Sequence, residues 1–393
     1  MDGDGGAGGV SIYLDYQATT PLAPEAFDAM VPLLRDQFAN PHSAHRMGRA
    51  MAAVVEVARD RVRAALGLES GGLESGRLVF TSGATEALNI AIIGAARARR
   101  AVDPTRTRLV TIATEHAAVR DTVLALAGEG FEPLLLPVDA DGLVDMDAAR
   151  AAIDGRTALV AAMLVNNEIG VIQPIAALTE LARTAGAPLL CDAVQGFGRV
   201  PLPDADMIAV SAHKVHGPKG IGALWVRDGL TLAPLMHGGG QEDGLRSGTL
   251  SPALCAGFGA AADLLAGRRE ADADHVEKLW VRARALFSDW TLNGSATARY
   301  RGNLNIRREG VDAARLMSDC RAIAFSLGSA CASGSGRPSH VLQAIGLSDR
   351  QAKGSVRIGF GRYTTLAELE DAAGAIDEAA AVQAAPSQGA SQP

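Results

Sequence analysis

Short apolar runs alternate with longer amphipathic segments from about residue 12 to about residue 226. Apolar runs of four to eight residues are typical of buried strands, whereas apolar residues three or four positions apart are typical of a helix. Helices are predicted between the strands, for example at 84–100, 117–128 and 175–186. The alternation predicts an α/β fold with a mostly parallel seven-stranded sheet covered on both faces. The predicted strands are 78–81, 108–113, 133–137, 158–165, 189–192, 207–210 and 221–226.

The pattern changes after two glycine-rich stretches, 217–222 and 238–248. A helix near 252–266 and a charged helix around 273–290 are followed by short apolar elements and a last helix from 365. This change predicts a second, smaller α+β domain. The predicted organisation is a flexible arm at 1–11, a large domain at 12–251, a small domain at 252–379 and a disordered tail at 380–393.

Composition and charge limit the classes of function. The chain has 393 residues, of which 48% are hydrophobic, and a formal net charge of −7. A negative net charge gives no general attraction for nucleic acid. The sequence lacks an apolar run long enough to cross a membrane and lacks the basic, apolar start of a signal peptide. We therefore expect a cytoplasmic protein without a direct nucleic-acid or membrane partner.

Cysteine and lysine are both scarce. The four cysteines, Cys191, Cys255, Cys320 and Cys331, are widely spaced and form no C-x-x-C pair. Their spacing predicts neither a disulfide framework nor a zinc ribbon, and leaves room for a reactive thiol. The lysines are Lys214, Lys219, Lys278 and Lys353. A reaction that requires a lysine therefore has only these candidates.

Three motifs place candidate chemistry at the ends of predicted strands. Residues 81–86, TSGATE, join a strand to a helix, where free backbone N–H groups can bind a phosphate; ordinary helix capping is the alternative. Asp192 ends another strand, where it could pair with a ring nitrogen or cap the next helix. Lys214 follows a third strand, which predicts a partly desolvated amine able to form an imine. His213 and His216 could be a zinc pair, but no third ligand accompanies them.

The motifs together resemble the NifS/IscS-type cysteine desulfurases of the class V aminotransferase superfamily. The resemblance runs from about Tyr13 to about Arg362. It implies the fold-type I architecture of enzymes that use pyridoxal 5′-phosphate (PLP). The motifs that carry it are YLDYQATTP at 13–21, VNNEIG at 165–170, SAHK at 211–214 and GSAC at 328–331.

The resemblance implies a role for each matching residue. Lys214 would be the Schiff-base lysine, Asp192 the partner of the pyridine nitrogen, and His116 a ring-stacking acid–base. Thr249 would reach the cofactor phosphate of the other subunit, which implies a homodimer. The further residues implied in cofactor binding are Ala84, Thr85, Asn167, Gln195, Ser211 and His213.

The same resemblance implies the reaction and its substrate. Arg357 would bind the carboxylate of L-cysteine, with Asn167 nearby, because a guanidinium suits a two-pronged contact. Cys331 lies in a stretch of small residues, 326–336, which predicts a mobile loop. Its thiolate would take the sulfur as a persulfide and release alanine. The sulfur would pass to an acceptor or scaffold protein, with iron–sulfur cluster assembly as the implied pathway; Cys331 is also a conceivable transient iron–sulfur ligand.

Three rival interpretations remain open at this point. A selenocysteine lyase could share every motif, because selenium leaves more readily and need not require the thiol. Another class V aminotransferase or lyase would not need Cys331. A sulfur-relay or scaffold protein would use Cys331 alone, but Lys214, Asp192 and Gln195 would then have no purpose.

Overall fold

The computed structural model describes residues 12–67, 75–328 and 339–384. These residues begin with a short strand, β1 (Ile12–Tyr13), and two helices, α1 (Pro24–Arg35) and α2 (Arg46–Ala65). Next come β2 (Gly76–Thr81), α3 (Ala84–Val102), β3 (Arg108–Ile112), α4 (Ala117–Ala125), β4 (Glu132–Leu136), α5 (Met146–Ala152), β5 (Thr157–Met163), α6 (Ile175–Thr184), β6 (Leu189–Asp192), β7 (Met207–Ser211) and β8 (Gly222–Arg227).

Strands β2 to β8 form a seven-stranded sheet in the order β2-β8-β7-β6-β5-β3-β4. All pairs are parallel except those of β8, which is antiparallel to both β2 and β7. The mostly parallel sheet expected from the sequence is confirmed, and each predicted strand agrees to within two residues at each end. Strands β5, β6 and β7 are buried at every position, because helices cover both faces.

The sheet brings one edge of several strands together. Because β8 is antiparallel to both of its neighbours, β2 points in the same direction as β7 and the other parallel strands. The segments that follow β2, β3, β5, β6 and β7 therefore leave from one edge of the sheet. That carboxyl edge is where open α/β sheets bind their ligands.

The second part of the chain forms a smaller antiparallel sheet. It begins with one long helix, α7 (Pro252–Leu286), followed by β9 (Thr291–Leu292), β10 (Asn303–Arg307), α8 (Ala313–Asp319), β11 (Ile323–Ala324) and β12 (Ser326–Leu327). After the undescribed segment come α9 (His340–Ala344), α10 (Asp349–Lys353), β13 (Ser355–Gly359) and α11 (Leu366–Ala384). The strands pair in the order β12-β13-β10-β9, with α11 packed against α7 and α8.

The structure corrects the sequence-based prediction at two helices. The predicted helices at 252–266 and 273–290 are a single helix, α7. Phe258 and Leu265 in its first half belong to the core of the large sheet, whereas Leu279 and Trp280 in its second half belong to the core of the small domain. Helix α11 ends at Ala384, so residues 380–384 belong to it and not to the predicted tail.

The amino-terminal strand also lies with the small domain. Strand β1 pairs in parallel with β11, and Leu14 is buried in the small-domain core. The sequence predicted that the large domain would begin at residue 12. The apolar residues of β1 instead complete a small core that is built mainly from residues after 275. This arrangement brings Asp15 and Gln17 close to strand β13, because Asp15 forms a bridge with Gly359.

Arg299 ties the loop after β5 to the small domain. Its guanidinium donates to the carbonyl groups of Ser295 (2.9 Å), Ile169 (2.9 Å) and Asn303 (3.0 Å), and more weakly to that of Asn293 (3.4 Å). The side chain is buried, and no carboxylate pairs with it among the described residues. Burial lowers the pKa of Arg299 to about 9.

Replacing Arg299 by methionine is expected to lower the free energy of unfolding by about 3–5 kcal/mol, because several buried carbonyl groups lose their donor. Urea unfolding at neutral pH measures the change. The exposed Arg301, which pairs with Glu277, is the matched control. Its replacement by alanine is expected to cost less than about 1 kcal/mol. Equal losses for the two variants would contradict the role assigned to Arg299.

Candidate active site

A cleft of about 650 Å³ lies at the carboxyl edge of the large sheet. Most of the residues that the sequence assigned to one site line this cleft. They are Ala84, Thr85, His116, Asn167, Asp192, Gln195, Ser211, His213, Lys214 and Arg357. Thr249 does not line the cleft of its own chain and is exposed. Cys331 lies outside the described residues.

Lys214 ends a short turn that directly follows β7, as the sequence predicted. Its ammonium group donates to the carbonyl of Gln17 and, over 2.7 Å, to that of Ala18. Burial lowers the pKa of Lys214 to about 7, with the positive charges of Arg199 and Arg357 as further causes. An amine with such a pKa is largely neutral slightly above pH 7 and can act as a nucleophile or base.

Arg199 was not predicted from the sequence, although it holds two of the predicted residues. It donates to the carbonyl of Lys214 over 2.6 Å and to Oε1 of Gln195 over 2.7 Å. The amide nitrogen of Gln195 in turn donates to the carbonyl of Gln17 over 2.9 Å. Arg199 therefore fixes the orientation of Gln195 and places a positive charge behind Lys214.

Asp192 lies at the end of β6, with Oδ1 accepting the N–H of Val194 over 3.0 Å. Burial raises the pKa of Asp192, while this hydrogen bond and the charges of His116 and Lys214 act in the opposite direction. A buried carboxylate at the wall of a cleft gains from a cationic partner. Asp192 is thus suited to pair with a protonated ring nitrogen, and it also caps the turn that follows.

Glu115 is a second buried carboxyl group behind the cleft and was not predicted as a site residue. Its Oε1 accepts the N–H of Met163 over 2.8 Å, and its Oε2 is buried without a partner among the described residues. Burial raises the pKa of Glu115 well above its ordinary value, and the charge of Asp192 adds to the effect. Burial therefore favours the neutral form of Glu115.

The start of helix α3 forms a donor cradle at one end of the cleft. Ala84 and Thr85 are its first residues, and their backbone N–H groups have no partner within the helix. The N–H of Ser82 is not available, because it donates to Glu86 over 2.5 Å. Nearby, Nδ1 of His213 contacts the Thr19 hydroxyl over 3.1 Å, and burial lowers the pKa of His213 to about 4. A neutral imidazole and free N–H groups suit a phosphate.

His116 caps a helix and also lines the cleft. It precedes helix α4, and its Nδ1 accepts the N–H of Ala118 over 3.1 Å, which is helix capping. Because Nδ1 is an acceptor, the proton of the neutral ring lies on Nε2. The same side chain lines the cleft, so Nε2 can exchange a proton there.

The two histidines that follow β7 do not form a metal site with other described residues. No group of three or more His, Cys, Asp or Glu side chains in the described ranges is arranged to hold a metal ion. Nδ1 of His216 contacts the carbonyl of Pro21 over 2.9 Å, and its ring packs edge-on against Tyr16 and Tyr363. His216 is therefore a packing residue behind the cleft.

Comparison with known proteins identifies the family. The model of the class V aminotransferases matches residues 12–371. The chain belongs to the class V aminotransferase family. It is 40% identical over 370 residues to the cysteine desulfurase IscS of Rickettsia bellii, which covers 91% of this chain and 88% of the relative.

Solved structures of this class V family agree with the assignment. A NifS-like protein superposes with a TM-score of 0.85 at 30% identity, over 94% of this chain and 98% of the other. SspA, solved in complex with cysteine, has a TM-score of 0.77 at 34% identity, over 90% of this chain and 100% of the other. The resemblance inferred from the motifs is confirmed. No helix in the described ranges has the length and apolar character to cross a bilayer.

The residues of this class V enzyme fit the cofactor of the family, PLP. Lys214 would supply the amine for its aldehyde, Asp192 the negative partner for its ring nitrogen, and the start of α3 the donors for its phosphate. Gln195 and His116 line the remaining wall. The free N–H groups at the start of α3 and the buried carboxylate of Asp192 are the groups at the cleft that PLP would satisfy.

Replacing Arg199 by methionine is expected to raise the pKa of Lys214, because a neighbouring positive charge is removed. A protonated lysine cannot attack an aldehyde, so PLP uptake by the cofactor-free protein at pH 6 should slow about threefold to tenfold. The rise of cofactor absorbance, followed from pH 6 to pH 9, measures this. Arg199→Lys keeps the charge and is the control. Superimposable pH profiles for Arg199→Met and wild type would contradict the prediction.

Proposed function

We propose that this protein is a cysteine desulfurase, which removes sulfur from L-cysteine, forms L-alanine and holds the sulfur as a persulfide on Cys331. The observation that carries the proposal is one cleft in which Lys214, with a pKa of about 7, lies with Asp192 and Arg357. Relatives named cysteine desulfurase IscS, about 40% identical over 91% of the chain, support the choice of reaction.

PLP is the proposed cofactor, held by Lys214, Asp192, Gln195, His116 and the donors near Ala84 and Thr85, with Ser211 and His213 beside the phosphate. When bound, it provides an electron sink for negative charge at the substrate Cα. The neutral amine of Lys214 accepts the Cα proton, for which its lowered pKa is suited. His116 holds a proton on Nε2 that can be exchanged with the substrate thiol.

Substrate binding and sulfur transfer are assigned to two other residues. Arg357 binds the carboxylate of cysteine, next to Asn167, whose carbonyl it contacts over 3.0 Å. The thiolate of Cys331 then attacks the substrate sulfur. The new S–S bond forms as the C–S bond breaks, the electron pair stays with carbon, and a proton completes alanine. Two equivalents of an external thiol, or an acceptor protein, remove the bound sulfur.

A homodimer is part of the proposal. Large apolar side chains are exposed on α1, on the segment after it and at the start of α2, including Phe27 (55%), Phe38 (77%) and Met47 (51%). Such a surface suits a partner subunit. In this assembly the exposed Thr249 would reach the cofactor phosphate of the other subunit.

The persulfide would serve a sulfur acceptor of iron–sulfur cluster assembly in the cytoplasm, where the buried free thiols Cys191, Cys255 and Cys320 stay reduced.

The test gives the PLP-loaded protein L-cysteine and an excess of a reducing thiol, and measures alanine and sulfide. The expected result is one alanine for each sulfide, with neither product in the absence of PLP. Turnover of L-selenocysteine without any turnover of L-cysteine would reject the proposal in favour of a selenocysteine lyase. Transfer of the amino group without sulfide would indicate an aminotransferase.

A further inference from the structure

Arg357 is already surrounded by acceptors of its own chain. Its Nη2 donates to Oδ1 of Asp15 over 2.7 Å and to the hydroxyl of Ser326 over 3.1 Å. Its Nη1 donates to the carbonyl of Asn167 over 3.0 Å. The side chain is only 1% exposed, so water does not weaken these contacts. One terminal nitrogen of the guanidinium is therefore held by a carboxylate that belongs to the chain.

The nitrogen that remains is Nε of Arg357. It is buried and has no hydrogen-bond acceptor among the described residues, although Arg357 lines the cleft. A carboxylate that binds a guanidinium through two parallel hydrogen bonds uses a pair of neighbouring nitrogens. A two-pronged contact that uses the free Nε must also use one of the terminal nitrogens. One of these, Nη2, already donates to Asp15.

We propose that Asp15 is a positioning residue that competes with the substrate carboxylate for Arg357 and thereby limits how tightly the enzyme holds an amino acid. The proposal rests on the proposed function, in which Arg357 binds cysteine. The product alanine carries the same carboxylate as cysteine. Competition by Asp15 therefore weakens the binding of the product alanine as well as that of the substrate cysteine, and it favours product release.

Ser326 adjusts the strength of this competition. Its hydroxyl donates to Oδ1 of Asp15 over 2.8 Å, the same oxygen that Arg357 contacts. Ser326 therefore shares the charge of Asp15 with Arg357. Without this hydroxyl, Asp15 would hold Arg357 more strongly, and a substrate carboxylate would bind less tightly.

The backbone of Asp15 is held by contacts that do not involve its carboxylate. The hydroxyl of Tyr13 donates to the carbonyl groups of Asp15 (3.1 Å) and Thr19 (2.9 Å), and β1 is paired with β11. The replacement Asp15→Asn keeps the shape and one carbonyl acceptor for Arg357 and removes only the charge. It is therefore suited to separate competition from simple support of Arg357.

The experiment measures the dissociation constant of L-alanine for the PLP-loaded enzyme by titration calorimetry, with L-alaninol as the matched ligand that lacks a carboxylate. Asp15→Asn is expected to bind L-alanine about tenfold more tightly, because the guanidinium charge is no longer shared. Its affinity for L-alaninol is expected to stay unchanged. Ser326→Ala is expected to bind L-alanine about threefold less tightly.

The outcomes separate this inference from the proposed function. Unchanged or weaker L-alanine binding in folded Asp15→Asn would overturn the competition and show that Asp15 only supports Arg357. If Asp15→Asn does not fold, Ser326→Ala decides: weaker binding supports the inference, and equal or tighter binding overturns it. Arg357→Ala must bind L-alanine less tightly than wild type. If it does not, the carboxylate-binding role of Arg357 fails, whereas cysteine turnover by wild type tests the reaction independently.

Discussion

Replacing Lys214 by alanine is expected to abolish cysteine turnover and covalent attachment of PLP. The fall in kcat should exceed about a thousandfold, because the variant loses both the amine that holds the cofactor and the base that accepts the Cα proton. The structure supports this expectation through the position of Lys214, which lines the cleft directly after β7 with a pKa lowered to about 7.

The measurement combines borohydride reduction with peptide mass spectrometry and the alanine assay. In wild type, the reduced cofactor is expected on the peptide that contains Lys214, and in Lys214→Ala on none. Lys278→Ala is the matched control, because Lys278 is exposed on α7, far along the chain from the cleft segments. Cofactor attached to Lys219, which also lines the cleft, would show that the wrong lysine was assigned.

The sequence predicted the large sheet because its central strands are buried on both faces. Continuous apolar runs such as 158–165 and 189–191 are typical of strands that are covered on both faces. Once these strands are parallel, the residues after them meet at one edge, as Lys214 and Asp192 do. The fold and the main polar residues of the site were thus accessible from pattern and motif.

Contacts between distant segments were not accessible in the same way. Asp15 and Arg357 are 342 residues apart in the chain, yet their side chains are 2.7 Å apart. The pairing of β1 with β11 brings them together, and strands of only two residues cannot be predicted from the sequence pattern. Arg199 looks like an ordinary surface arginine until the turn after β6 brings it to Gln195 and Lys214. The only local sign of this contact in the sequence is that Arg199 follows Gln195 by four residues.

The continuous helix α7 was missed for a physical reason. Its apolar residues face one core up to Leu265 and a different core from Val276, so a single amphipathic stripe does not run along it. A change of stripe in a sequence resembles a break between two helices. In the structure it marks a helix that passes from the large sheet to the small domain.

Replacing Cys331 by serine is expected to remove alanine and sulfide production from L-cysteine, with a fall in kcat of about a thousandfold, while PLP binding stays unchanged. A hydroxyl is a far weaker nucleophile toward sulfur than a thiolate. Cys331 lies outside the described residues, but Ser326, five residues before it, contacts Arg357. Five residues can extend over about 17 Å, which is enough to bring a thiol to a substrate held by Arg357.

The residues that follow the undescribed segment contact residues adjacent in sequence to the cleft lining. Ser339 donates to Glu168 over 2.5 Å, and the ring of His340 contacts the carbonyl of Glu115 over 2.9 Å. Both ends of the segment with Cys331 are thus attached close to His116, Asn167 and Arg357. The other three cysteines, Cys191, Cys255 and Cys320, are each buried in a core, which agrees with the proposed assignment of sulfur transfer to Cys331.

Cys320→Ser is the control for this prediction, because Cys320 is buried in the small domain and its Sγ makes only a weak contact, over 3.8 Å, with the carbonyl of Ala375 among the described residues. It is expected to keep near-normal turnover. Mass spectrometry of wild type after L-cysteine alone should show an added sulfur on the Cys331 peptide and none in Cys331→Ser. Alanine formation that continues in Cys331→Ser would mean that the sulfur leaves without this thiol, as in a lyase. The cleft would then carry a different reaction on the same arrangement of Lys214, Asp192 and Arg357.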